Sequence, residues 1–190
     1  IVVRLVGSEM CIRDRDGIES GEKGSLFEGA HRPGHFDGVL TVVNRLFDLV
    51  NPTSVVFGKK DAQQLYLVKE FLANKSNNLK IIEAEIIRDE YGLAMSSRNR
   101  LLSKSGINIA RNIFQILENT KEHFIQNQDI QQSEDFGKKL FDENAIEYDY
   151  LNFVDPKYFE TPDSNREKLL LITAAYVQGI RLIDNMEVIQ

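Results

Sequence analysis

One cysteine, three histidines and no apolar run near the roughly 20 residues that cross a bilayer: these shortages bound the 190-residue sequence first. A lone Cys11 excludes an internal disulfide framework and a cysteine-built zinc site. The lack of disulfides fits a reducing, cytoplasmic compartment. With only His31, His35 and His123, no histidine-rich metal centre is expected, so no metal ligands are assigned to the chain. A basic excess is missing too: 29 acidic residues against 23 basic ones give a net charge of −6, without a long block of either sign. Binding of nucleic acid by a general basic face is therefore not expected, and neither is a membrane anchor, although a local cationic pocket is compatible with these numbers. What is present is an ordinary globular composition, 42% hydrophobic and 27% charged, long enough for one large domain or two modest ones.

Residues 1–15 have neither a signal-peptide layout nor a clear period, and their apolar stretch is broken at Arg4. They resemble translated adaptor sequence and are expected to be a non-native leader. From Asp37 the pattern turns helical: Val39, Val43, Leu46 and Val50 follow three- and four-residue steps, widened by Val42 and Leu49. Before it, Ser25–Phe27 reads as a short strand. Asn51-Pro52 ends the helix, because proline disfavours helical geometry in the residue before it. Thr53–Phe57 suits a buried strand, a helix follows from Asp61 through Leu72, and Leu79–Ile87 supplies a second strand after the break at Asn74–Asn78. Helix and strand alternating through short connections indicate a parallel α/β sheet, which gathers ligands at the carboxyl ends of its strands. After Ser103 a long amphipathic helix carries Ile109, Ile113, Leu117 and Phe124, and a shorter one covers Asp135–Asn144. Ile146–Val154, Lys168–Val177 and Ile180–Ile183 are the remaining strands. The second half reads as a small α+β unit, with the boundary near 101–105.

Three clusters have the residue types for anion chemistry. Gly58-Lys59-Lys60-Asp61, with Gln63 and Gln64, stands where a strand becomes a helix. Exposed backbone amides favour an anion there, and a lysine can pair with phosphate. Taken alone, the same residues read more readily as an ordinary polar turn with Asp61 as the helix cap. Met95-Ser96-Ser97-Arg98-Asn99 offers hydroxyls and a planar guanidinium fork, either for a polyphosphate or for the cap of the next helix. His31-Arg32-Pro33-Gly34-His35-Phe36 precedes a helix; Arg32 suits a carboxylate or phosphate, and His35 serves equally as a buried cap.

Several segments together closely resemble the pantothenate synthetase family. They are Glu28–Val39 with Thr41-Val42-Val43, then Phe57–Asp61 with Gln63-Gln64, then Gly92–Arg100, and finally Arg181–Asn185. The resemblance covers nearly everything from about residue 25 onward, in the family's order. It implies a partial Rossmann-like nucleotidyltransferase domain over 16–103, binding ATP and pantoate, followed by a small α+β lid domain over 104–190. It implies condensation of pantoate with β-alanine, driven by ATP through a pantoyl-adenylate, with magnesium, in a cytoplasmic homodimer. Carried over by position, Gly58, Lys59, Lys60, Asp61, Ile87, Met95, Ser96, Ser97 and Arg98 bind ATP. Lys60, Ser96, Ser97 and Arg98 stabilise the transition state, Met95–Arg98 being the counterpart of the superfamily's KMSKS loop. Gln64 binds pantoate; Arg32, from its own chemistry, is a further candidate for substrate binding. The sequence departs from the family at Lys59, Ala62 and Tyr91. The family's HxGH motif and a further pantoate-binding glutamine have no counterpart in residues 1–24, so the chain is expected to be an amino-terminally truncated, inactive fragment, and His35 is not given the catalytic role. Another nucleotidyltransferase such as a cytidylyltransferase, or a non-catalytic dimerising module, are the alternatives.

Overall fold

The structure, a computed structural model, describes residues 17–75, 79–162 and 167–189. The expected leader at 1–15, with Cys11, lies outside the described residues. The described residues divide into two compact units, one within 17–58 and 62–84, the other within 59–61 and 85–189. The expected boundary at 103/104 thus falls within the second unit. Residues 85–103 belong there because Arg88 pairs with Asp184 and Arg98 bonds the carbonyl of Arg181, both partners lying near the carboxyl end. Among the described residues no helix is long and apolar enough to cross a membrane.

In the first unit, helix α1 (His35–Val50) starts after Gly34, whose φ of 74° suits glycine, and ends on Asn51, which turns left-handed and returns its N–H to the carbonyl of Phe47. Its buried stripe is not the expected one. Phe36 and Leu40 are buried, with Val43 and Phe47 packed against them, whereas Leu46, Leu49 and Val50 are exposed. The partner helix α2 (Ala62–Ala73) supplies Leu67, Val68 and Leu72, and so selects that face. Strands β1 (Ser54–Gly58) and β2 (Lys80–Ala84) pair in parallel, as the alternation predicts. β1 is not the buried strand its composition suggests, since Val56 is 64% exposed and β2 is its one partner among the described strands.

The strand expected at Ser25–Phe27 is absent. A 3-10 turn (Glu22–Ser25) and a helical turn (Glu28–His31) stand in its place. The reason comes from α2: Gln63 accepts the amide N–H of Glu28 and donates to the carbonyls of Lys23 and Leu26. One buried side chain thereby satisfies backbone groups that a neighbouring strand would otherwise meet.

In the second unit, Ser103 caps α3 (Lys104–Asn127) by accepting the Gly106 N–H, and Asp129 caps α4 (Ile130–Glu143). α4 begins five residues before the expected Asp135, because the cap at Asp129 and the contact of Ile130 with the core set its start. Strands β3 (Glu147–Val154), β4 (Lys168–Val177) and β5 (Ile180–Ile189) form an antiparallel meander. Gln178 and Gly179, both at positive φ, make the two-residue turn between the last two. Ile113, Leu117 and Phe124 of α3 and Phe141 of α4 close over Leu151, Phe153 and Leu171 of the sheet. β5 runs six residues past the expected Ile183, through the buried polar pair Asp184 and Asn185.

Candidate functional site

β5 is one of the two edge strands of its sheet, so alternate backbone groups along its outer side lack a strand partner. Two arginines from the 85–101 segment cover that edge. Arg98 donates to the carbonyl of Arg181 at 2.9 Å, and Arg88 donates to the carbonyl of Asn185 at 3.0 Å. Residues 181 and 185 differ by an even number, so their carbonyls point to the same side of the strand. Arg88 also grips Asp184 with both guanidinium arms, at 2.6 and 3.0 Å, and bonds the carbonyl of Gly92. Burial pushes the Asp184 carboxyl above its ordinary value, against the hydrogen bonds and charge of Arg88, the Asn185 amide and the charge of Lys60.

The Lys59–Lys60 turn is fastened to the same strand. The Asn185 side-chain amide donates to the carbonyl of Lys60 at 2.8 Å and to that of Lys59 at 3.1 Å. The Lys59 ammonium is engaged by Glu85 at 2.5 Å and approaches Glu187 at 3.7 Å. Lys60 is placed otherwise: its ion-pair contact is a 4.0 Å approach to the half-exposed Asp61 next to it. Lys60 is thus less tightly ion-paired than Lys59, although its charge also reaches the buried Asp184 carboxyl.

The serine loop is built on itself. Met95 donates its N–H to the carbonyl of Ile87 at 2.8 Å, bringing together two largely exposed apolar side chains, 56% and 73% accessible. Such a pair suits a planar ring. Ser96 accepts the Arg98 N–H and caps the 3-10 turn Ser97–Leu101, while Asn99 donates to the carbonyl of Ala94. The Asn99 side-chain oxygen is buried without a hydrogen-bond partner.

The second unit therefore holds Lys59, Lys60, Asp61, Ile87, Met95, Ser96, Ser97 and Arg98. The points at which β5 holds the lysine turn and Arg98 are four residues apart, about 13 Å at roughly 3.3 Å per residue. Gly58, Gln64 and Arg32 belong to the first unit. A Cβ at Gly58 would meet nothing within 4 Å, so the space above it is open. Arg32 already holds a carboxylate of this chain, that of Glu28, at 3.1 Å. Gln64 is half-buried on the first turn of α2, and His35, at the start of α1, lies 5.0 Å from the ring of Phe36. Sequence reasoning gave no role to Arg88, Asp184 or Asn185. The signal was present as two adjacent polar residues, Asp184 and Asn185, set among the apolar residues of β5.

Residues 9–187 match the family model for pantoate-beta-alanine ligase. The pantothenate synthetase of Cytophaga hutchinsonii is 38% identical over 176 residues, which cover 90% of this chain and 62% of that relative. The pantothenate synthetase of Marinomonas sp. is 40% identical over 162 residues, 84% of this chain and 57% of the relative. The chain thus spans less than two thirds of the length of these curated relatives. Among solved structures, pantothenate synthetase from Thermus thermophilus superposes with a TM-score of 0.87 at 34% identity, over 96% of this chain and 67% of that one. Pantoate-beta-alanine ligase from Francisella tularensis, complexed with beta-gamma ATP and beta-alanine, gives a TM-score of 0.69 at 30% identity, over 90% of this chain and 58% of that one. The parallel sheet followed by a small antiparallel one is the nucleotidyltransferase-like architecture of these enzymes.

Proposed function

Because the chain belongs to the pantoate-beta-alanine ligase family, we propose that its gene product condenses pantoate with β-alanine at the expense of ATP, releasing AMP and pyrophosphate. The observation that carries the reading is the fastening of the Lys60 turn and the Ser96–Arg98 loop to one strand, β5. The Francisella tularensis ligase, solved with beta-gamma ATP and beta-alanine, supports two of these substrates, ATP and β-alanine.

The chemistry follows from the groups. A carboxylate is a poor acyl donor until one of its oxygens joins a good leaving group. In adenylation that oxygen attacks the α-phosphorus in line, and the bond from phosphorus to the pyrophosphate oxygen breaks. Negative charge grows on the transferring and departing oxygens, where the Lys60 ammonium, the Ser96 and Ser97 hydroxyls and the Arg98 guanidinium are assigned to receive it. Ile87 and Met95 are assigned to the nucleotide, with Gly58, Lys59 and Asp61 on its phosphate and ribose side. Gln64, and with it Arg32, is assigned to pantoate. The amine of β-alanine then attacks the activated carbonyl and AMP leaves. Holding the reactants in register supplies much of the acceleration.

Magnesium belongs to this reading as an ion carried on the triphosphate, whose charge it offsets. Such an ion keeps phosphate and water ligands and needs no dedicated cage of protein carboxylates. Homodimerisation, a cytoplasmic location and the lid role of residues 104–190 are carried by the family resemblance. The matched proteins are pantothenate synthetases, and nothing favours a cytidylyltransferase. The test is ATP–pyrophosphate exchange by the complete gene product. Exchange that requires pantoate is expected; exchange with an unrelated acid alone would overturn the assignment.

A further inference from the structure

We propose that Asn185 is a positioning residue for ATP, setting the backbone of Lys60 from the opposite end of the sequence. The inference rests on the function proposed above and deepens it.

Asn185 is only 4% exposed, and its side-chain NH2 group bonds two successive carbonyls, those of Lys59 and Lys60. These carbonyls belong to the two peptide planes that flank one α-carbon, that of Lys60. Peptide units are planar and trans. Fixing both oxygens therefore fixes both soft dihedrals of Lys60, and it turns the N–H groups of Lys60 and Asp61 to the side away from Asn185. A single side chain thus determines where the Lys60 stem starts and which way it leaves the backbone.

The clamp is itself held. The Asn185 N–H donates to Asp184 Oδ1 at 2.8 Å, and its carbonyl accepts Arg88, which in turn grips Asp184. Three stretches distant in sequence, 59–60, 88–92 and 184–185, meet in one network. It also explains why Lys59–Asp61 groups with the second unit although its neighbours on both sides group with the first. Asn185 touches no reacting atom in this scheme; it acts through Lys60.

Asn185→Asp in the complete gene product is the test, because the shape is kept while the donor facing two carbonyl oxygens is replaced by an acceptor. Removing hydrogen bonds of this kind predicts a loss of roughly 10- to 100-fold in kcat/KM for ATP. KM for β-alanine is expected to stay near the parent value, and the thermal midpoint to fall, because a buried carboxyl then faces two carbonyl oxygens. Activity toward ATP is expected to recover in part as the pH is lowered and the introduced carboxyl regains a proton to donate. Asn185→Ser, which fits the same space and keeps one donor, carries the test should the first variant fail to fold; an intermediate loss confined to ATP is expected. Unchanged ATP kinetics overturn the proposal, as does a fall in all kinetic parameters together. Parent protein that exchanges pyrophosphate with pantoate while the variants match it overturns the clamp alone. Parent protein that shows no such exchange overturns the ligase reading and the clamp with it.

Discussion

Gln63 and Gln64 are neighbours with different surroundings, and nothing in their shared chemistry tells them apart. Gln63 faces inward and its amide bonds three backbone groups of the 23–28 segment; Gln64, one position on, is half-buried and assigned to substrate. The order of the pair along α2 decides the outcome, since successive residues on a helix point in different directions. Gln63→Leu keeps the bulk but strands the Glu28 N–H and the carbonyls of Lys23 and Leu26, so a loss of at least about 2 kcal/mol is expected in urea unfolding. A variant as stable as the parent would show that water replaces the amide. Arg98 presents the converse case. One arm is tied to the carbonyl of Arg181, which aims the guanidinium before any ligand arrives. Arg98→Ala in the complete gene product is expected to lower kcat/KM for ATP by roughly 10- to 100-fold through lost charge-assisted contacts. Steady-state kinetics with varied ATP measures it, and unchanged values would remove Arg98 from the phosphate clamp.

Helix α3 and strand β4 were legible in the sequence because their patterns are local: of the expected stripe Ile113, Leu117 and Phe124 are buried and only Ile109, in the second turn, is exposed, and β4 is apolar almost throughout. Elements whose partners are distant were not. β5 is hidden past Ile183 because Asp184 and Asn185 look like a turn until Arg88 and the lysine carbonyls are seen to satisfy them. The two site clusters were legible as anion-compatible, and Arg181 lies in the expected strand, but the continuation of β5 that holds the lysine turn was not legible, for the same reason. The entry to α1 is another long-range tie: Asp37 accepts both the hydroxyl and the amide of Ser20, and Thr41 accepts the amide of Ile18. The Ser20 hydroxyl, then its amide, hold the Asp37 carboxyl below its ordinary value, with burial opposing them. A carboxyl depressed in the folded state adds stability above its unfolded pKa, and that stability is lost as the pH falls through the folded value. The tie is therefore expected to loosen below about pH 4. Ser20→Ala should lower stability at neutral pH and flatten the acid limb of the unfolding profile; identical acid limbs for parent and variant would show that Asp37 is not depressed by Ser20.

The two units differ in how much apolar surface they bury within themselves, and this sets how the chain should come apart. Among the described residues, the core cluster of the first unit is Phe36, Leu40, Leu67, Val68 and Leu72, beside a two-stranded sheet and with Leu46, Leu49, Val50 and Val56 exposed. That of the second takes in residues from Leu93 to Val188, drawn from two helices, three strands and the loop residues Leu93 and Ile146, with Leu117, Phe124, Phe141, Leu151, Phe153, Leu169, Leu171 and Val188 fully shielded. Separate cores of unequal size give separate opening free energies. Native-state hydrogen exchange in rising urea is expected to release the amides of α1, α2, β1 and β2 first. Those of α3, α4 and β3–β5 should follow at higher urea. The amides of Lys60 and Asp61 provide the sharpest reading: the Asn185 bonds join their turn to the second unit, so they should follow its opening and not that of β1, which ends at Gly58. Phe124→Ala, expected to cost about 3–5 kcal/mol, should then lower the later transition and leave the earlier one in place. A single transition shared by all these amides would mean that the two cores open as one.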